Sequence, residues 1–403
     1  MQRLTILLFF LIIYIACPAA ADNRNTAEML GADTWAGRMQ RQIDSLIRMP
    51  MFETSQLGLY VKDITDGREL VCVNQRHLMR PASCEKITTA VAVLHTLGNG
   101  YLLRTELMLT GEVRDGILYG DLSVRGGMDP MLSRAEVMQM AGACRQVGID
   151  SIAGILHVDL SFKDDLERGW GWCWDDNTVP MLPLLVDKKD TFVADFLNGL
   201  AQAGVRGMTI DRVLYDKCPA GSRTFCEVTH TIDQVLQPMM KRSDNFYAES
   251  LFYQLSALGH PATPGTRNMA VAQVDVLIRH IGLNPADYQI ADGSGLSLYN
   301  YQSPELIVRL LEYAWKTPSI RQSLYTALPI AGVDGTLEKR MRRTKAQGNV
   351  HAKTGTVEGV SSLSGYATSP EGHILAFSII NQGILKTETG RQFQDKVCQA
   401  LTN

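Results

Sequence analysis

The sequence predicts an α/β (α+β) fold in which a smaller α/β domain is inserted into a larger, discontinuous one. The chain has 403 residues, more than a single hydrophobic core serves, so about two domains are expected. Helical patterns prevail after residue 231 and strand patterns near the end, whereas residues 105–227 alternate short strands, turns and helices. We therefore expect residues 22–104 and 228–403 to form the larger domain and residues 105–227 the inserted one.

Local patterns place the elements of the larger domain. Residues 57–64 and 69–74 are rich in strand formers and flank Asp66-Gly67, a dipeptide typical of a hairpin turn. Arg80-Pro81-Ala82 leads into a helix expected over residues 83–97. Apolar periodicity predicts further helices over 27–48, 232–241, 244–258, 271–282, 304–315 and 389–401, and strands over 350–356, 361–367 and 373–381.

The inserted block carries its own signals. A second hairpin is expected over residues 107–124, with its turn at Asp115-Gly116. Ser133 is placed to cap a helix. Further elements are expected as a helix over 133–146, a strand over 152–160 and a helix over 195–203. Trp170, Trp172 and Trp174 alternate in an irregular stretch, and packing in the core of this domain is favoured over a glycan-facing strip.

The N-terminal 21 residues have the pattern of a secretory signal peptide. A positive start at Arg3 precedes an apolar run over residues 4–16 and the small residues Ala19-Ala20-Ala21. The run is shorter than the ~20 residues of a membrane span, which disfavours a retained anchor. We expect cleavage after Ala21 and an exported, periplasmic protein. A lipoprotein attached through Cys17 is the weaker alternative.

Charge and ligand spacing argue against several function classes. The formal net charge of −3 disfavours binding to nucleic acid. The sequence contains neither His-Glu-x-x-His nor Cys-x-x-Cys, so no metal site is expected. Seven of the eight cysteines follow Cys17, and an odd number leaves at least one thiol unpaired. A disulfide between Cys218 and Cys226 stays open.

The first motif with catalytic chemistry is Ser83-Cys84-Glu85-Lys86. Residues three apart share a helix face, so an amine lies beside a hydroxyl at a predicted helix start. The amine of Lys86 can take the proton of Ser83 when burial or a neighbouring cation lowers its pKa. Alone, the same spacing fits many capped and solvated helix starts. Cys84 is expected to pack away from the cleft, and the sequence assigns no role to Glu85.

Two further motifs follow in the larger domain. Ser243-Asp244-Asn245 breaks two predicted helices and offers a hydroxyl and a carboxamide to a ligand, although a helix cap explains it equally well. Lys353-Thr354-Gly355 lies in a predicted strand, where the ammonium and hydroxyl suit a carboxylate. Gly355 leaves room for an approaching ligand backbone. The alternative is an edge strand protected by its lysine.

In this order the three motifs form the signature of penicillin-binding proteins and class A β-lactamases. The chain resembles the class C low-molecular-mass penicillin-binding proteins, a family of D-alanyl-D-alanine carboxypeptidases/endopeptidases, from about residue 57 to about residue 381. The resemblance rests on these sequence segments around the motifs: 80–83, 120–122, 126–132, 241–249, 292–297, 328–337, 352–355, 359–360 and 364–366. The chain departs from the family pattern at Met128, Leu298 and His351, which affects substrate detail.

The resemblance implies a penicillin-binding, serine β-lactamase-like domain that acts on peptidoglycan stem peptides. It implies attack by Ser83 on the penultimate D-Ala carbonyl, with Lys86 as general base and Ser243 relaying a proton to the leaving amine. Asn245 would bind the substrate amide, and Lys353 and Thr354 the terminal carboxylate, beside Gly355. The backbone N–H groups of Ser83 and Thr356 would form the oxyanion hole. β-Lactams would acylate Ser83, and no metal or cofactor is implied.

Three other functions stay open at this stage. A serine β-lactamase shares the motifs, but the long insertion and the Asp292-Gly293-Ser294-Gly295 word disfavour it. We expect Ser294 to lie in a tight turn beside the active site, because it lacks nucleophile-elbow spacing. A non-catalytic penicillin sensor would not need every motif residue, and a hydrolase for other D-amino-acid peptides is more remote. The oligomeric state and the balance of carboxypeptidase and endopeptidase activity are not predicted.

Overall fold

A computed structural model of the protein describes residues 34–257 and 263–403. The predicted signal peptide and Cys17 lie outside the described residues, as do the first residues of the helix expected over 27–48. Among the residues that are described, no helix is both long and apolar enough to cross a membrane. Within the same residues, Cys218 and Cys226 form no disulfide with each other.

The elements follow one another in mixed order along the chain. The helices are α1 (Trp35–Leu46), α2 (Glu85–Thr96), α3 (Arg134–Gln146), α4 (Phe192–Gln202), α5 (Ile232–Lys241), α6 (Asn245–Gln254), α7 (Arg267–His280), α8 (Pro304–Lys316), α9 (Pro318–Ala327) and α10 (Thr387–Thr402). The strands are β1 (Gln56–Asp63), β2 (Glu69–Val73), β3 (Leu102–Leu109), β4 (Glu112–Arg114), β5 (Ile117–Tyr119), β6 (Leu122–Gly126), β7 (Ser151–Ile152), β8 (Leu156–Asp159), β9 (Val213–Leu214), β10 (Arg223–Thr231), β11 (His351–Val357), β12 (Val360–Thr368) and β13 (Ile374–Gln382).

The first sheet joins strands from the two ends of the described chain. Its order is β11-β12-β13-β1-β2, and each neighbouring pair is antiparallel. The hairpin between β1 and β2 turns where Asp66-Gly67 predicts it, with Gly67 at φ +88°, a conformation that favours glycine. This order leaves β11, which carries Lys353-Thr354-Gly355, at one edge of the sheet.

Helices cover both faces of this sheet. Because side chains alternate along a strand, Leu59 and Val61 pack in a core with Trp35 of α1 and Phe393 of α10. Tyr60 faces the other way and packs in the larger core, which also contains apolar residues of α2, α5, α6, α7, α8 and α9. Helix α2 is buried along most of its length. Ser83 lies directly before this buried helix, which therefore positions it.

A second sheet, of order β10-β3-β6-β8-β9, lies within residues 102–231. Helices α3 and α4 pack on it around a separate core that includes Val124, Met140 and Phe196. Ser133 accepts from the N–H of Glu136 at 3.3 Å, and the Glu136 carboxylate accepts in return from the N–H of Ser133 at 2.8 Å. This capping box starts α3 where the sequence predicts it.

The segment predicted as one hairpin over residues 107–124 forms two nested ladders instead. Strand β3 pairs with β6, and the shorter β4 pairs with β5 between them. Strand β10 was not predicted and pairs with β3. The division into residues 22–104 with 228–403 and residues 105–227 stays a proposal. The separate sheet and core support it, although β3 and β10 extend a few residues beyond the proposed boundaries.

Candidate active site

Ser83 lies in a tight 3-10 turn, Ala82–Cys84, that leads directly into α2. Ala82 adopts φ +47°, a left-handed conformation that a non-glycine residue keeps only when its surroundings hold it. The buried Cys84 thiol donates to the Lys353 carbonyl at 3.2 Å, and the Ser362 hydroxyl donates to the Pro81 carbonyl at 2.6 Å. These contacts fasten the Ser83 turn to β11 and β12, and Cys84 faces the interior.

Lys86 is fully buried and its ammonium lies among three acceptors. Nζ is 3.1 Å from Oγ of Ser83, 2.8 Å from Oδ1 of Asn245 and 2.7 Å from the carbonyl oxygen of Ser294. Burial lowers the pKa of Lys86 to about 8, although Asp292 and Glu249 act in the opposite direction. The lowered pKa therefore increases the fraction of this amine that is unprotonated near neutral pH, beside the Ser83 hydroxyl.

Behind Lys86 lie three buried carboxyl groups, those of Glu85, Glu249 and Asp292. Burial, and then the charge of Asp292, raises the pKa of Glu249 to about 8 and that of Glu85 well above its usual range. Glu249 accepts from the backbone N–H groups of Gly293 at 3.1 Å and Ser294 at 2.9 Å. It thereby fixes the turn whose carbonyl holds Lys86.

The turn after residue 291 is organised by Asp292. Its carboxylate accepts from the N–H of Gly295 at 2.8 Å and of Ser297 at 2.7 Å, and from the amide of Asn300 at 2.7 Å. A Cβ at Gly295 would lie 1.9 Å from the carbonyl oxygen of Ala82, so only glycine permits this approach. Ser294 is buried and contributes its carbonyl, so it lies in a turn beside the active site, as the sequence predicts.

The Ser243-Asp244-Asn245 segment lies at the start of α6. Ser243 adopts φ +59°, and its Oγ accepts from Nζ of Lys353 at 2.8 Å. Asp244 caps α6 through the N–H of Tyr247, at 3.4 Å. It also forms an ion pair with Lys188, which lies two residues after Val186 of the core around Val124, Met140 and Phe196. The segment therefore caps a helix through Asp244 and places the hydroxyl of Ser243 beside Lys353.

Lys353 is buried on edge strand β11, which argues against a purely protective edge lysine. Burial, and then the charge of Lys86, lowers its pKa to about 7. The Thr354 hydroxyl is 2.8 Å from that of Thr336, while Thr356 is exposed.

A Cβ at Gly355 would lie 2.2 Å from Oγ of Ser362 and 2.9 Å from the backbone nitrogen of Ser83. Glycine here lets β11 lie against the Ser83 turn.

A cleft of about 570 Å³ opens over these groups. Its walls include residues from every predicted motif, namely Ser83, Ser243, Thr354, Gly355 and Thr356. Lys86, Asn245 and Lys353 lie directly behind them through the hydrogen bonds described above. A larger cavity, of about 760 Å³, lies beside β2 and contains none of the motif residues.

Sequence reasoning missed the groups that hold the motif residues. Glu249 and Asp292 belong to sequence segments on which the family resemblance rests. No local sequence pattern shows that they lie around Lys86. The prediction that the three Trp side chains pack in the core of the inserted domain is wrong for Trp170 and Trp174, which are 47% and 87% exposed. Trp172 instead donates its indole N–H to Asp292 at 2.8 Å.

A Ser–Lys pair at a helix start, a Ser-x-Asn loop and a Lys-Thr-Gly edge strand define the class of penicillin-recognising serine enzymes. The family model for the D-Ala-D-Ala carboxypeptidase 3 (S13) family matches residues 39–188 and 182–403. The chain belongs to this family. The sequence-based prediction of a penicillin-sensitive serine D-Ala-D-Ala carboxypeptidase is thereby confirmed at the level of family and enzyme class.

Curated relatives and solved structures agree with this membership. The chain is 26% identical to the D-alanyl-D-alanine carboxypeptidase DacB of Haemophilus influenzae, over 84% of this chain and 88% of that protein. It is 28% identical to a D-alanyl-D-alanine carboxypeptidase of Actinomadura sp. strain R39, over 86% and 81% of the two chains. The crystal structure of penicillin binding protein 4 from Haemophilus influenzae matches with a TM-score of 0.79 and 24% identity, covering 89% of this chain and 98% of that one. This likeness confirms the predicted fold class.

Proposed function

We propose that this protein is a serine-type D-Ala-D-Ala carboxypeptidase/endopeptidase that cleaves peptidoglycan stem peptides through an acyl-enzyme on Ser83. The observation that carries the proposal is the position of the Lys86 ammonium, 3.1 Å from Oγ of Ser83 and 2.8 Å from the Asn245 side chain. Its pKa of about 8 suits a general base near neutral pH.

In the acylation step Oγ of Ser83 attacks the carbonyl carbon of the penultimate D-Ala, and its proton passes to neutral Lys86. The tetrahedral oxyanion accepts hydrogen bonds from the backbone N–H groups of Ser83 and Thr356. The C–N bond then breaks, and the proton held by Lys86 passes to the leaving amine through the hydroxyl of Ser243, whose Oγ is 2.8 Å from Nζ of Lys353. In the hydrolysis step water attacks the ester and gives a proton to the again neutral Lys86. Lys86 passes this proton to Oγ of Ser83 as the ester C–O bond breaks and the acid leaves.

Substrate orientation follows from the same groups. Protonated Lys353 and the Thr354 hydroxyl bind the terminal carboxylate, a pairing that a charge-assisted hydrogen bond strengthens. Gly355 lets β11 lie against the Ser83 turn, so that a substrate backbone along the β11 edge reaches Ser83, and Asn245 binds the amide of the acyl residue. A β-lactam carries a carboxylate and a reactive amide in one molecule, so it acylates Ser83 covalently. The crystal structure of the Haemophilus influenzae penicillin binding protein 4 in complex with a β-lactam supports this proposal by analogy.

Export belongs to the same proposal, because peptidoglycan lies outside the cytoplasm. Residues 1–21 would be removed as a signal peptide and the mature enzyme would act in the periplasm, with lipidation at Cys17 as the weaker alternative. Residues 22–104 and 228–403 would form the catalytic domain, with residues 105–227 inserted.

The direct test is release of D-Ala from a pentapeptide muropeptide by the purified mature protein. We expect D-Ala and the tetrapeptide to appear in equal amounts with the wild type, and neither with Ser83→Ala. A folded Ser83→Ala variant that releases D-Ala at the wild-type rate would exclude the proposed nucleophile. Folded wild-type protein that leaves every muropeptide intact would exclude the proposed substrate.

A further inference from the structure

A short basic segment follows the turn at Gly335–Leu337. Five of the seven residues over 339–345 are Lys or Arg, a local excess that the net charge of −3 conceals. Arg340 is committed to Asp395, with Nε at 2.9 Å and Nη2 at 2.7 Å from the same carboxylate oxygen. Arg342 pairs with Glu338 at 3.5 Å. These two cations therefore have structural partners of their own.

Lys339 is exposed, as Arg342 is. Unlike Arg340 and Arg342, it makes no hydrogen bond or ion pair with any other residue in the described part of the chain. It also lines the same cleft as Ser83. Glu388 and Asp395 line this cleft too, but Asp395 is paired with Arg340 at 2.7 Å and Glu388 lies 4.0 Å from Arg391. Among the described residues that line this cleft, Lys339 is thus the cation without a carboxylate partner.

Lys339 lines the cleft together with residues of the proposed site for the leaving group's carboxylate. The Thr354 hydroxyl, part of the proposed carboxylate site, touches the Thr336 hydroxyl at 2.8 Å. Thr336 lies three residues before Lys339 in a compact turn, and both line the cleft. The cleft that holds the proposed site for the terminal carboxylate is therefore also lined by Lys339, whose ammonium has no partner among the described residues. Its volume of about 570 Å³ is that of a pocket for a drug-sized ligand, far more than a departing alanine fills.

We propose that Lys339 forms a carboxylate-binding subsite for the leaving strand of cross-linked peptidoglycan. This inference rests on the proposed function and concerns which substrate the same site prefers. In a cross-linked substrate the amine released from the Ser83 acyl group belongs to a second stem peptide, which carries carboxylates beyond the one next to the scissile bond. A free D-Ala has no such extra carboxylate. Lys339 therefore favours the endopeptidase reaction over the carboxypeptidase reaction.

The test compares two substrates with a charge series at one position. Lys339→Gln is expected to lower kcat/KM for a cross-linked muropeptide dimer about 3- to 5-fold, and Lys339→Glu about 10-fold or more, because an exposed ion pair is lost and then reversed. Lys339→Arg keeps the charge and should retain wild-type cleavage of the dimer. D-Ala release from a pentapeptide and acylation by penicillin should stay within about 2-fold of wild type in all three variants.

Lys345 provides the matched control, because it is exposed in the same segment and does not line the cleft. Lys345→Gln and Lys345→Glu should leave both reactions unchanged. Equal losses on dimer and pentapeptide in the Lys339 series, or equal effects at Lys345, would overturn the subsite. A rate of dimer cleavage that does not depend on the charge of residue 339 would overturn it as well. Folded wild-type protein that cleaves neither muropeptide would instead count against the proposed function.

Discussion

The indole N–H of Trp172 donates a 2.8 Å hydrogen bond to Oδ2 of the buried Asp292. Asp292 orders the turn at 293–297, and the Ser294 carbonyl of this turn holds Lys86 at 2.7 Å. A residue of the proposed inserted domain therefore contacts the turn that holds the proposed general base. This arrangement connects Trp172 to the candidate active site.

Replacing Trp172 by Phe removes this hydrogen bond while keeping an aromatic ring. Because the bond is made to a buried carboxyl group, we expect acylation by penicillin to slow about 3- to 10-fold. Trp174→Phe is the control, since Trp174 is 87% exposed. Stopped-flow acylation of both variants checks this, and equal rates for Trp172→Phe and wild type would contradict it.

Lys188 supports the other wall of the cleft. Its ammonium pairs with Asp244 and lies 5.1 Å from the ring centre of Tyr247. Asp244 directly follows Ser243, whose backbone is left-handed. We expect Lys188→Met to reduce the acylation rate about 3- to 5-fold, and Lys188→Arg to restore most of it. The neighbouring Lys189 is exposed, so Lys189→Met should be silent. A full effect in Lys188→Arg as well would refute an electrostatic role.

The pH profile of acylation should be bell-shaped. Lys86 acts as a base only when neutral, so the rate rises with pH through its pKa of about 8. Lys353 binds the β-lactam carboxylate only when protonated, so the rate falls as pH rises through its pKa of about 7. The product of the two fractions is greatest midway between the two pKa values. Second-order acylation constants from about pH 6 to about pH 10 test this, and a flat profile would disagree with it.

Gly355→Ala should disable the site by a steric route. The added Cβ would lie 2.2 Å from Oγ of Ser362 and 2.7 Å from the Pro81 carbonyl, so β11 or the Ser83 turn must move. We expect about 1–3 kcal/mol of destabilisation and a loss of acylation of at least about 10-fold. Gly142→Ala in α3 meets no atom within 4 Å and should be neutral or slightly stabilising. Urea unfolding and acylation together measure both effects, and a fully active Gly355→Ala protein would be incompatible with this geometry.

Much of the site was predictable because its motifs are local. The spacing of Ser83 and Lys86, the helix break at Ser243 and the strand pattern around Lys353 each involve a few neighbouring residues, and the structure brings them to one cleft. The order of the motifs carried the family, and terminal strands beside central helices carried the fold class.

The support of the site was not predictable, since long-range contacts create it. Glu85, Glu249 and Asp292 come from distant parts of the chain and meet only after folding. Lys188 adopts φ +63° without being glycine, so nothing local marks its turn. Strand β10 was missed because its residues are mostly half-buried or exposed, which blurs the alternation of polar and apolar side chains.

The most direct test of an acyl-enzyme on Ser83 is a time course of fluorescent penicillin on the purified mature protein, beside Ser83→Ala. We expect a covalent label that forms only with Ser83 present, persists, and maps to the peptide that contains Ser83. Label on Ser83→Ala at the wild-type rate, or no label on folded wild-type protein, would contradict it. Label that forms on Ser83 and is lost rapidly as hydrolysed drug would mark a β-lactamase instead.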